Sequence, residues 1–298
     1  MILVTGGSGF IGRHLVARLI AEGESVRVAA RGERSSALPD SIEQVQADVV
    51  TGNGLREAME GVDRIAHLVA IIVERGAQRF DAVIRGGTQN VVAAAKETGV
   101  RKLLYVSAIG AAPDPKFPYW QAKWQAEQSL IESELNYTIL RPSLVFGPED
   151  NFFNRLAHLV RQMPVTPIAG NGKTEFQPIW VEDVATCIIA CLREGSHDGE
   201  ILEIGGPDQM TYNELIDVVG NELGIKRPKV HVPLALMRPG ARLLQSLLSN
   251  PPVTTDQLAM LAKDNTTEVD AVQRQFGFTP KSLRGGLSYL SVGAKAAS

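Results

Sequence analysis

Cysteine is nearly absent from the 298 residues: there are two, Cys187 and Cys191, four apart in an apolar helical pattern. That spacing turns both thiols the same way and offers no disulfide framework, so buried thiols in a reducing compartment are expected. Histidine is almost as sparse. His14, His67, His158, His197 and His231 stand at no ligand spacing, so no metal site is expected. His67, inside an apolar run, reads as a hydrogen-bonded core residue rather than a catalyst. An excess of one charge is also lacking: a formal net charge of -3 gives no basic field for nucleic acid. No apolar run approaches the roughly 18 residues that span a bilayer. Met1 leads straight into the first apolar run, which leaves no room for a secretory signal, and a cytoplasmic location is expected. There is no internal repeat and no low-complexity tract.

What remains is ordinary globular composition, 44% hydrophobic and 21% charged, in a chain long enough for one extended domain or two smaller ones. Its most informative stretch is Val4-Thr5-Gly6-Gly7-Ser8-Gly9-Phe10-Ile11-Gly12. Ile2-Leu3-Val4 reads as a buried strand. The glycines follow at once, and Leu15, Val16, Leu19 and Ile20 mark an amphipathic helix closed by Gly23. Glycines in that context let the backbone turn tightly and approach a pyrophosphate, and free N–H groups at the helix start favour its negative charge. A dinucleotide-binding chain is expected.

Strand and helix then alternate. Strands are predicted over Ser25–Ala30, Val45–Ala47, Arg64–Val69, Lys102–Val106 and Tyr137–Leu140, with helices over Phe80–Thr98 and Tyr119–Ser133. This βαβ rhythm predicts an α/β fold, a doubly wound parallel sheet of Rossmann type. After Pro148 the rhythm changes. Asn151–Arg161, Glu182–Arg193, Tyr212–Leu223, Leu234–Leu248 interrupted at Pro239-Gly240, Thr255–Ala262 and Glu268–Phe276 read as helices, and Glu200–Ile204 as a short strand. The expected organisation is a dinucleotide-binding domain over 1–148, with returns near 179–207, and a smaller, mostly helical lobe over 149–298.

Tyr119 and Lys123 stand four apart, on one helix face. A tyrosine hydroxyl normally titrates near ~10. A neighbouring ammonium, together with an oxidised nicotinamide, would favour the phenolate and bring it into working range as an acid/base. At the end of the second strand, where an acid would accept the ribose 2′-hydroxyl of NAD, the chain reads Ala29-Ala30-Arg31. Arg31, helped by Arg34 or Arg13, suits a 2′-phosphate, which favours NADP(H). NAD(H) stays possible, with Arg31 solvated and Glu33 reaching back to the ribose.

Four segments together (Thr5-Gly6-x-x-Gly9-Phe-Ile-Gly12, Tyr105-Val106-Ser107-Ala108, Tyr119-x-x-x-Lys123 and Arg141-Pro142-Ser143-Leu144-Val145-Phe146-Gly147-Pro148) resemble the short-chain dehydrogenase/reductase superfamily. Within it they look most like the extended and atypical branches, the NAD-dependent epimerase/dehydratase type. Gly87-Thr88-Gln89-Asn90-Val91, Gly147 to Phe152 and Gly205-Gly206-Pro207 are similar to the group around the nucleotide-binding accessory subunit of respiratory complex I. The resemblance implies that Gly6, Gly9, Phe10, Ile11 and Gly12 hold the pyrophosphate. It implies that Asp48 and Val49 meet the adenine, and that Leu68, Val69 and Ala70 line the cofactor. Lys123 would hold the nicotinamide ribose and polarise Tyr119, and Pro142 would border the nicotinamide. Ser107 would be the third catalytic group.

Three positions depart from the pattern. Ala108 stands where a hydroxyl usually helps hold the substrate carbonyl, with Ser107 one residue early; Ile84 and Leu144 stand where asparagines are usual. These count against a sugar-nucleotide epimerase. An oxidoreductase acting on a carbonyl or alcohol of an apolar small molecule is the leading expectation, with Phe117, Trp120, Trp124, Phe152, Phe153 and Phe176 as candidate cleft aromatics. The alternative is a non-catalytic NADP(H)-binding structural, assembly or sensor protein. Peripheral membrane contact through Leu234–Leu248 with Arg238 and Arg242, or association with a respiratory complex, is possible but not predicted.

Overall fold

Ile2, Leu3 and Val4 are sealed from solvent, as are Leu103, Leu104 and Tyr105, because these runs lie in a sheet covered on both faces. In the computed structural model, which describes residues 1–32, 38–39, 41–247 and 254–292, they belong to the first of two units. That unit takes Met1–Pro142 and Glu182–Ile204; the second takes Ser143–Val181 and the chain from Gly205 on.

The first unit holds seven strands: β1 (Ile2–Thr5), β2 (Val26–Ala30), β3 (Glu43–Gln46), β4 (Arg64–His67), β5 (Lys102–Val106), β6 (Tyr137–Pro142) and β7 (Glu200–Ile204). Their order is β7-β6-β5-β4-β1-β2-β3, and every pair is parallel. The doubly wound sheet expected from the alternation is therefore present, and strand order reverses between β1 and β4. In such sheets the crevice for ligands lies at that reversal, beyond the carboxyl ends of the strands. Register aligns those ends: Thr5 stands opposite Ala29 and His67, and His67 opposite Tyr105.

The flanking helices are α1 (Phe10–Ala21), α2 (Leu55–Met59), α3 (Gly87–Thr98), α4 (Pro118–Ile131) and α5 (Val181–Leu192). Pro118 opens α4, where its missing N–H costs nothing, and Gly99 closes α3 in the left-handed conformation. Several elements differ from expectation, and α2 was not predicted at all. The helix predicted from Phe80 begins with a π-helical turn, Asp81–Gly86, and Thr88 spends its hydroxyl on the Ile84 carbonyl at 2.7 Å. Strand β4 ends at His67, two residues before the predicted end; the Leu68 N–H still donates to the Thr5 carbonyl at 3.0 Å, and Leu68 and Val69 then pass beside Gly6.

The second unit packs helices Asn151–Gln162, Tyr212–Leu223, Leu234–Leu247, Thr255–Met260, Ala271–Phe276 and Tyr289–Val292 with pairs of short strands. Asp150 caps the first of these through the Phe153 N–H at 2.6 Å and also accepts the Tyr289 hydroxyl at 2.5 Å. Of the candidate cleft aromatics, Phe152, Phe153 and Phe176 pack ring against ring with one another and with Tyr212, Phe153 and Phe176 in the core, so these three serve as packing. Helix Leu234–Leu247 runs through Pro239 without the expected interruption. Proline removes one N–H there, and a single lost ladder bond does not end the helix. No helix among the described residues is long and apolar enough to cross a membrane.

The turn at the reversal point is governed by space. A Cβ on Gly12 would lie 2.2 Å from the Gly6 carbonyl oxygen and 2.7 Å from the Gly7 Cα. Both obstacles are backbone, so Gly12→Ala is expected to lower stability by about 2–4 kcal/mol, read as a drop in thermal midpoint. An unchanged midpoint would mean that α1 starts elsewhere.

Candidate active site

Gly6 has φ 77°, a left-handed conformation that turns the chain out of β1 directly under Leu68 and Val69. The Gly9 N–H closes the turn on the Gly6 carbonyl at 3.0 Å, and the Arg13 N–H opens the α1 ladder on Gly9 at 3.0 Å. Gly9 caps α1 with no side-chain hydrogen bond. The first-turn N–H groups of Phe10, Ile11 and Gly12 therefore have no acceptor within the helix. Twelve residues of helix place partial positive charge at this end. The turn and helix start have the chemistry that a diphosphate requires.

The other sequence-predicted lining residues lie at the carboxyl ends of the strands or on the segments that follow them. Leu68–Ala70 follow β4 and adjoin Gly6. Asp48 follows β3 and uses one carboxylate oxygen on the Val50 N–H at 2.9 Å. Val49 is buried, and its carbonyl accepts from Asn90 on α3 at 2.9 Å, which fixes the loop. Arg31 is exposed one residue beyond β2. Arg34 and Glu33, its proposed helper and rival, lie outside the described residues. Pro142 ends β6 and its carbonyl accepts the Ile109 N–H at 3.1 Å.

Tyr119 and Lys123 project from α4 within one helical turn. Tyr119 is half-buried, packs edge-on against Phe80 with ring centres 5.7 Å apart, and has its hydroxyl pushed up to about 12 by burial. Lys123 is almost wholly buried, donates to the Val106 carbonyl at 2.7 Å, and lies 4.8 Å above the Tyr105 ring. Burial pulls its ammonium down to about 7 against the opposing pull of Glu127. The structure thus changes one expectation. In the protein alone the ammonium sits on Val106 and Tyr105, and the Tyr119 phenol is raised rather than lowered, because desolvation governs it. Ser107 directly follows Val106, with its hydroxyl buried and without a protein partner.

Beneath these groups lies a network that the sequence reading caught only in part. His67 is hydrogen-bonded core, as expected, and its two partners define a direction. The single Thr88 hydroxyl proton goes to Ile84, so Thr88 accepts from His67 Nε2–H at 3.1 Å. Nδ1 is then the acceptor for the Thr5 hydroxyl at 2.6 Å. This chain ties the end of β1 to the end of β4 and to α3, immediately below the glycine turn. His67 also stacks on Tyr105 at 5.5 Å. Thr5 and Thr88 carried no sequence signal beyond their place in two motifs.

The sequence profile of the NAD dependent epimerase/dehydratase family matches residues 2–205. The chain is 27% identical over 300 residues to the mitochondrial NADH dehydrogenase [ubiquinone] 1 alpha subcomplex subunit 9 of Arabidopsis thaliana, covering 95% of this chain and 75% of that protein. It is 24% identical over 288 residues to the NADH-ubiquinone oxidoreductase 40 kDa subunit of Neurospora crassa, covering 94% and 76%. Among solved structures, UDP-glucuronic acid 4-epimerase from Bacillus cereus, in complex with UDP-glucuronic acid and NAD, superposes with a TM-score of 0.77 at 20% identity, over 100% of this chain and 99% of that one.

Burial holds His67 neutral and takes it down to about 3. Below pH 6.5 the unfolded chain takes up a proton that the folded one refuses, so this contribution to stability falls as pH drops from 6.5 towards 3. The loss reaches on the order of 5 kcal/mol at full extent. Urea unfolding between pH 4 and 7 is expected to show a shallower pH slope for His67→Gln than for the parent. Equal slopes would refute the neutral imidazole.

Proposed function

The chain belongs to the NAD dependent epimerase/dehydratase family, and on that basis we propose that its first unit binds a nicotinamide dinucleotide and uses it in hydride exchange. The partner in that exchange is a carbonyl or alcohol carbon of an apolar small molecule. The observation that carries this reading is Lys123, a lysine buried beside the carboxyl end of β5, one helical turn from Tyr119. A buried cation is costly in a packed core, and such strongly shifted groups concentrate where a ligand uses them.

In this reading the N–H groups of Phe10, Ile11 and Gly12 bind the diphosphate, with Gly6 and Gly9 shaping the turn. Asp48 and Val49 border the adenine, Leu68–Ala70 and Pro142 line the remainder, and Arg31 takes a 2′-phosphate, which favours NADP(H) over NAD(H). The bound nicotinamide supplies or accepts the hydride. Lys123 contacts the nicotinamide ribose, and its charge favours ionisation of Tyr119. Tyr119 Oη then gives a proton to the substrate oxygen, or removes one in the reverse direction. Ser107 supplies a hydroxyl that has no other partner. Cytoplasmic residence belongs to the same reading.

A second reading has its own support. Tyr119 is raised to about 12, Ala108 replaces the usual hydroxyl, and the two relatives named above are subunits of respiratory NADH dehydrogenases. A tight nucleotide binder without turnover, associated with a respiratory complex, would account for all three.

Fluorescence titration is expected to show NADPH binding more tightly than NADH, and Arg31→Glu is expected to weaken NADPH about tenfold or more while sparing NADH. NADH binding at least as tightly as NADPH in the parent would end the NADP(H) preference. Turnover of NADPH against ketones, aldehydes and quinones is expected to fall roughly 10²–10⁴-fold in Tyr119→Phe with nucleotide affinity preserved. Tight binding without turnover on any carbonyl would replace the oxidoreductase reading with the second one.

A further inference from the structure

Glu127 has no solvent exposure at all, and it follows Lys123 by one turn of α4. Both carboxylate oxygens are taken by Arg141 on β6, Nε to Oε1 at 2.9 Å and Nη2 to Oε2 at 2.6 Å. The remaining fork nitrogen of Arg141 reaches Glu203 on β7 at 3.4 Å. A two-point guanidinium grip of this kind fixes a carboxylate in orientation as well as in place. As a tether between α4 and β6 it is an expensive choice, because apolar residues of similar volume hold such a junction at no desolvation cost. Its charge therefore calls for a second use, and Lys123 is the buried group beside it.

We propose that Glu127, gripped by Arg141, is the positioning residue for Lys123: a fixed, fully buried carboxylate one turn along the same face of α4 that orients the lysine for the dinucleotide. The inference rests on the dinucleotide reading above. The groups facing Lys123 are few. Its own helix presents Tyr119 and Glu127; β5 presents the Val106 carbonyl and the Tyr105 ring; β4 presents a neutral His67. Behind Glu127 stand Arg141 and, beyond it, Glu203. Of these, Glu127 is the anion that opposes the pull of burial on Lys123. Without it, a buried Lys123 and a half-buried Arg141 remain as cations on neighbouring elements.

The test is nucleotide affinity against pH, by NADPH fluorescence between pH 5.5 and 9. In the parent, affinity is expected to weaken as pH rises and Lys123 loses its proton, and Lys123→Met is expected to flatten the profile. Glu127→Gln is expected to move the midpoint down by about one pH unit, a roughly tenfold weaker Kd on the alkaline side, with the two proteins converging at low pH. Glu127→Asp, which keeps the charge, is expected to recover part of the shift. If Glu127→Gln does not fold, the apolar pair Glu127→Met with Arg141→Met lacks the same carboxylate and is expected to shift the midpoint in the same direction. A purely structural tether would change thermal stability and leave the midpoint where it was. Nucleotide binding with an unmoved midpoint overturns this inference alone; a parent protein that binds neither NADPH nor NADH overturns the dinucleotide reading and takes this one with it.

Discussion

The constraint on which the first unit's turn depends is backbone against backbone: a Cβ on Gly12 would lie 2.2 Å from the Gly6 carbonyl oxygen, which leaves no room for a single methyl group. That contact sets where α1 begins and leaves its first N–H groups pointing away from the turn. Everything proposed for the site depends on those groups being available. The Cβ positions of Gly9 and Gly12 face the protein's own Gly6 carbonyl rather than open space. Here the glycines are required by the turn itself, and in the proposed reading nucleotide recognition falls to the N–H groups at the start of α1.

Much of this was legible in the sequence because it depends on local patterns. Ile2-Leu3-Val4 and Leu103-Leu104-Tyr105 are short apolar runs between turn residues, which buried parallel strands require, and they became β1 and β5. The four-residue spacing of Tyr119 and Lys123 needed only a helix to become one face. What could not be read depends on contacts distant in sequence. Thr5, His67 and Thr88 are separated by 62 and 21 residues, and their hydrogen-bond chain exists only because the strand register brings β1, β4 and the start of α3 together. Glu127 and Arg141 looked like ordinary members of a helix and a strand. Only the sheet made them a buried pair. The π-helical turn before α3 was likewise hidden, since its apolar spacing over Asp81–Gly86 differs little from that of an α-helix.

Electrostatics in this region is dominated by desolvation. His67 is driven neutral, the Tyr105 phenol is held well above its ordinary range, Tyr119 is raised, and Lys123 is lowered. Each shift disfavours charge, the result expected where several titratable groups share one apolar layer. A protein that only needed to fold could have filled this layer with leucine and phenylalanine. It instead keeps a lysine, two tyrosines and a histidine there, and leaves the Tyr105 and Ser107 hydroxyls without a protein partner. Unpartnered buried hydroxyls destabilise a fold, and this concentration of groups from β4, β5 and α4 supports the proposed reading of a binding site.

The two functional readings differ in what must happen to that layer when a nucleotide arrives. A binder without turnover can leave Lys123 on the Val106 carbonyl and Tyr119 protonated, since neither has to change state. An oxidoreductase cannot. Its tyrosine must exchange a proton near neutral pH, which means that a cation has to offset the desolvation holding it near 12. Among the described residues of α4, Lys123, one turn along, is placed to do so, and it can act in that way only while it remains an ammonium. In the oxidoreductase reading, the protonation state of one buried lysine thus links the proposed nucleotide site to the chemistry, and the proposed role of the fully buried carboxylate one turn further along α4 is to favour that state.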